Sequence, residues 1–173
     1  MARLPYVSNG DSVDADKLFA EIERMGRPVL NLYRVLATQP PALGAFLGMS
    51  RYVRSESSLE PGLRELMILA TAVELDQPYE MAHHMDAARR IGVSESKIAA
   101  AGPGDSPDVL SPRERCAVEF ARQVARTRTC DEAMFESMRS LFTPEEIIDL
   151  VVTTAWYHLC AVILGTMRVE LEH

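Results

Sequence analysis

The 173-residue chain is long enough for one domain with a real core and short for two. With 47% hydrophobic and 25% charged residues it reads as an ordinary globular protein, and the 6% aromatic share beside nine methionines predicts an aliphatic core. A formal net charge of −7 argues against nucleic acid or an anionic membrane as the main partner, since both attract basic surfaces.

In chain order, the N-terminus from Met1 to Tyr6 lacks the apolar stretch of a secretory signal. No apolar run is read as long enough to span a bilayer, so a cytoplasmic protein without membrane contact is expected. A first helix is predicted over residues 14–25, with Gly26 just past its end. Pro28 is placed in the first turn of a helix over residues 29–38. Pro40 and Pro41 then break the chain before a third helix over 43–54. Pro61 opens the segment 63–75, which is apolar almost all round and therefore predicts a helix surrounded by others.

Pro78 starts the next helix and Gly92 ends it; Ser94 caps a short helix reaching Ala101. Residues 102–109 form the clearest loop. Ser111-Pro112-Arg113-Glu114 is a capping-box signature, and Thr143-Pro144-Glu145-Glu146 repeats it before a long apolar helix running towards Val169. Between them Asp131 caps a shorter helix ending near Leu141. No strand or hairpin signal appears, so the expectation is all-α, a single domain of roughly eight helices. An N-terminal segment 1–27 carries one helix and the main helical domain covers 28–170. Residues 171–173 read as the start of a histidine tag, so His173 is given no role.

Cys116, Cys130 and Cys160 are far apart, and no C-x-x-C occurs. That excludes a dithiol redox motif and a cysteine zinc knuckle and predicts free thiols in or near packed helices. The chemistry-bearing residues lie instead in Arg64-Glu65-Leu66 and Tyr79-Glu80-Met81-Ala82-His83-His84. At ~100° per residue, Glu80, His84, Met81, Met85, Ala88 and Ile91 share one broad sector of their helix, opposite Asp86, Arg89 and Arg90.

Glu80 and His84 are an i,i+4 pair, close enough for carboxylate to meet imidazole. The carboxylate favours imidazolium while desolvation favours neutral histidine, a balance expected to hold the pair near neutral pH. A short turn between the two helices makes them antiparallel and would bring Glu65 to the pair. His83 projects away, towards Tyr79 and Ala87. The plainer alternative is a local stabilising contact, with Glu65 as a first-turn acid partnered by Arg64. Glu80-x-x-His83 has the spacing of a di-iron helix motif, but no second copy exists, so no metal is expected.

The two-helix core, Leu63-Arg64-Glu65-Leu66 through Tyr79-Glu80-Met81-Ala82-His83-His84 and on to Gly92, resembles the carboxymuconolactone decarboxylase family, which shares the alkylhydroperoxidase D-like fold. Asn31 to Ala37, Pro41 to Leu43 and Val169 to Glu172 also look like its single-domain members. The resemblance implies a helical bundle that assembles as a homo-oligomer, a trimer or hexamer. In the family's peroxidase branch a glutamate precedes a C-x-x-C, with a histidine four residues past the second cysteine. Here Glu65 and His84 match, while Gln77 and Glu80 occupy the cysteine positions, which removes the thiolate pair. The decarboxylase branch, with Glu-x-x-x-His, is the better match through Glu80 and His84; of its late Tyr-x-Gly-x-Pro-like segment only Tyr157 is kept.

The leading expectation is therefore cofactor-independent acid/base chemistry, a decarboxylation, isomerisation or related lyase reaction, on a small, partly apolar or cyclic molecule. His84 would donate the proton, Glu80 would set its orientation and charge, and Glu65 would tune or relay protons. Met67, Tyr79, His83, Met85 and Trp156 would wall the substrate pocket. The rival class is a non-catalytic oligomeric ligand-binding or scaffold protein; an alkylhydroperoxidase-type antioxidant ranks behind both.

Overall fold

The computed structural model describes residues 1–102 and 107–172. Among these it contains nine α-helices and no strand: α1 (Val13–Arg24), α2 (Asn31–Leu36), α3 (Pro40–Arg51), α4 (Pro61–Glu74), α5 (Pro78–Arg90), α6 (Glu95–Ala101), α7 (Pro112–Thr127), α8 (Glu132–Leu141) and α9 (Pro144–Met167). The all-α expectation holds. The expected loop at 102–109 lies partly outside the described residues, and its end, Pro107–Val109, is a 3-10 turn. His173 also lies outside them.

The chain forms two compact units, Met1–Tyr52 with Ile163–His173 and Val53–Val162. In the first, Arg3 N donates to Met167 O at 2.9 Å, and Glu170 N donates to the Tyr6 hydroxyl at 2.9 Å. Asn31 N donates to a Glu172 carboxylate oxygen at 2.6 Å, so Glu172 takes part in the fold of this unit. The Arg34 guanidinium lies 5.4 Å from the centre of the Phe19 ring. Pro28 does not open a helix as expected: α2 starts only at Asn31, behind an extended Leu30. After α3 the backbone widens into a π-type turn, Tyr52–Glu56, where the sequence suggested continued α-helix.

The second unit is built around α4. Glu60 accepts from the Gly62 and Leu63 amides at 3.1 and 2.9 Å, Pro61 fills the first position, and every residue from Leu63 to Ala72 is buried. Its apolar circumference is met by α5, α6 and α7, with Leu66, Leu69, Phe120, Met138 and Leu150 in the shared core. Only Leu75, Asp76 and Gln77 separate α4 from α5, Asp76 taking the left-handed conformation at φ 50°. At the far end of α5, Gly92 at φ 84° supplies the turn that a side chain would strain.

α9 is long and apolar enough by composition to cross a membrane, contrary to the expectation that no such run exists. Yet 56% of its most apolar stretch is buried inside the protein, as in a core helix.

Candidate active site

The short α4–α5 connection turns the two helices antiparallel and sets the middle of α5 beside the N-terminal half of α4. His84 Nδ1 lies 2.6 Å from Glu65 Oε2, and His84 Nε2 lies 3.2 Å from Glu80 Oε2, one turn earlier on its own helix. All three side chains are buried, at 4–5% exposure. An ionised carboxylate only accepts, so an imidazolium with a proton on each nitrogen satisfies both contacts at once.

Burial by itself would lower the His84 pKa, but the charge and hydrogen bond of Glu65, helped by Glu80, overturn this and hold it at about 9. Burial raises the Glu65 carboxyl, yet the imidazolium, then Arg54 and Arg64, bring it below the ordinary carboxylate range. The expectation of a near-neutral pair is thereby corrected. It counted one carboxylate where the fold supplies two, one on each ring nitrogen.

α9 closes the other side. The Tyr157 ring meets His84 edge-on, with centroids 5.0 Å apart and planes at 89°. Burial pushes the Tyr157 phenol well above its ordinary range, so it stays protonated. One turn on, burial and the Glu80 charge push the Cys160 thiol up as well, leaving it a poor source of thiolate. Cys116 and Cys130 are also free, with thiols raised chiefly by burial.

Of the residues read from sequence, Glu65, Glu80 and His84 are brought together. Tyr79 and His83 meet in a tilted ring contact, with centroids 4.6 Å apart and planes at 52°. Among the described residues no group of three or more His, Cys, Asp or Glu side chains is arranged to hold a metal ion. Met67 is wholly buried in the core, and Trp156 is buried on α9. A cavity of about 340 Å3 opens between α4, α5 and α6, lined by Leu69, Val73, Met81, Met85, Ile98 and Ala99 among others. Met85 is the one predicted wall residue that lines it; Met67, Tyr79, His83 and Trp156 do not. Met81 and Met85 thus face the flank next to the Glu80–His84 face, and Ile91, placed in that same sector, is half exposed.

Sequence reasoning gave no site role to Tyr157, Arg54 or Cys160. Tyr157 and Cys160 recur at helical spacing with buried Thr153 and Leu164 on one side of α9. That period was readable; what the side faces was not.

A helical protein with a buried acid–imidazole–acid cluster is the class that this geometry defines. Residues 40–123 match the model of the carboxymuconolactone decarboxylase family. No curated protein matches the chain in sequence. Among solved structures, a peroxidase-related protein from Ralstonia eutropha described as an alkylhydroperoxidase D core is 22% identical, with TM-score 0.82 over 99% of this chain and 92% of that one. The debrominase Bmp8 is 18% identical, with TM-score 0.83 over 96% of this chain and 90% of that one. A second Bmp8 structure, in complex with 2,3,4-tribromopyrrole, gives TM-score 0.84 at 17% identity over 99% and 94%. At these identities the likeness establishes the fold.

Proposed function

We propose that this chain is a cofactor-independent acid–base enzyme, a lyase or isomerase acting on a small, partly apolar or cyclic molecule. The observation that carries the reading is the buried imidazole held on both nitrogens by carboxylates. Such a cluster stores one proton away from water and can release it across the ring. In this reading the roles expected from sequence are exchanged: Glu65, with the shorter contact, orients the ring. Glu80, on the longer one, exchanges its hydrogen bond with a substrate, so a proton leaves through Glu80 or directly from Nε2.

In a decarboxylation the carbon–carbon bond breaks, carbon dioxide departs, the electron pair stays on the substrate carbon, and that carbon takes the stored proton. An isomerisation returns the proton to a different carbon from the one that lost it. Neither needs an oxidant or reductant. Gln77 and Glu80 stand where the peroxidase branch has its thiols, and the three cysteines present are raised in pKa, which disfavours thiol-dependent peroxide reduction. That a debrominase of this fold was solved with a small halogenated ring supports the substrate size.

A homo-oligomer is part of the proposal. Exposed Ile148, Val151, Ala155, Leu159 and Val162 follow one another along one side of α9. Light scattering reads the mass directly, and a monomer would remove this part.

The catalytic test is deuterium uptake from heavy water, followed by proton NMR, across a panel of cyclic lactones and β-keto acids. Uptake or turnover is expected in the native chain and at least 100-fold less in Glu80→Gln and His84→Gln, with helicity unchanged. Equal rates in all three proteins would overturn the reading.

A further inference from the structure

Arg64 is the buried arginine of the described residues, 9% exposed, and its Nε has no hydrogen-bond partner among them. The acids flanking it in sequence are engaged elsewhere: Glu60 caps the Gly62 and Leu63 amides, and Glu65 holds His84. A guanidinium cannot shed its charge, so burying it without an acceptor destabilises a chain. Its planar fork of donors matches a carboxylate or similar oxyanion in two parallel hydrogen bonds. Arg64 immediately precedes Glu65 of the acid–imidazole cluster, and its charge bears on the Glu65 carboxyl.

We propose that Arg64 is a recognition residue for an oxyanion carried by the small-molecule ligand of this site, held as a carboxylate would be in the guanidinium fork. The inference deepens the catalytic reading by naming the group that anchors the ligand beside Glu65 and His84, and its test needs no turnover. An unpaired buried charge kept for binding leaves a double signature: removing it strengthens the empty protein and abolishes the response to the anion.

The probe is sodium benzoate, titrated against sodium chloride at matched ionic strength. The Arg64 Nε–H resonance is followed in the native chain, and the thermal midpoint in the native chain, Arg64→Met and Arg64→Lys. Expected are a saturable shift of that resonance and a rising Tm in the native chain. Arg64→Met should melt higher than the native chain without benzoate and bind benzoate at least tenfold more weakly, with Arg64→Lys in between. The proposal is overturned if Arg64→Met melts lower with its benzoate response intact, which marks a structural arginine. It is equally overturned if Arg64→Met changes the mass in solution, which marks an acid of a second copy as the true partner. Failure of the deuterium-uptake test with a positive benzoate result would remove the catalysis and keep the anion site.

Discussion

His84 is the residue on which the chemistry turns, and its two contacts are unequal. Glu65 approaches to 2.6 Å and Glu80 to 3.2 Å. The imidazole ring protons should therefore titrate by NMR with a pKa of about 9. Glu65→Gln should lower that value further than Glu80→Gln, because Glu65 supplies the larger charge and hydrogen-bond contributions. Equal effects, or a native pKa near the ordinary histidine value, would show that the ring is not held as described. The i,i+4 spacing placed Glu80, and the short connection placed Glu65, because both follow from helix geometry alone. The direction of the pKa did not follow, since it depends on which ring nitrogen each acid meets. Arg64 entered the sequence reading only in the plainer alternative, as the partner of Glu65; that its Nε is buried without a hydrogen-bond partner among the described residues is not readable from spacing.

The helices are defined at their ends. Ser111 accepts from the Glu114 amide at 3.3 Å while the Glu114 carboxylate accepts from the Ser111 amide at 2.8 Å, the reciprocal box that the sequence predicted. Glu114 also binds Lys97 at 2.7 Å, which ties α7 to α6. Ser111→Ala should cost about 1 kcal/mol and lower Tm by roughly 2–4 °C. Glu114→Ala should cost more, since it removes the box and the tie together. A Ser111→Ala protein melting like the native chain would show that the cap contributes nothing. Thr143 and Glu146 repeat the reciprocal box at α9, and Asp131 caps α8 by accepting from the Met134 amide; these ends were legible because a cap is a local interaction among four residues. The misread start of α2 and the π-type turn after α3 were not local. Pro28 satisfies a first-turn preference without being in a helix, and the wider turn at Tyr52–Glu56 carries no residue signature of its own.

At the scale of the whole molecule, the buried cluster makes stability depend on pH in a definite sense. The His84 pKa rises on folding from 6.5 to about 9, so its contribution is complete below pH 6.5 and fades as pH climbs through 9. Glu65 goes the other way: its pKa falls on folding, so its contribution is present above pH 4.5 and is lost under acid. Both are therefore in force between about pH 4.5 and 6.5, and the native chain should lose of order 3 kcal/mol between pH 6.5 and 9.5 from this cluster. Urea unfolding measured at pH 5.5, 7.5 and 9.5 reads that loss directly. A Glu65→Gln,His84→Gln double variant replaces the charges with neutral amides and should flatten the alkaline slope, whatever its absolute stability. The slope is the decisive quantity, because substitution in a buried cluster shifts stability at every pH, whereas only a titrating imidazole changes it between pH 6.5 and 9.5 in this sense. An equally steep alkaline loss in the double variant would assign the effect to other groups and leave His84 without its two-sided clasp.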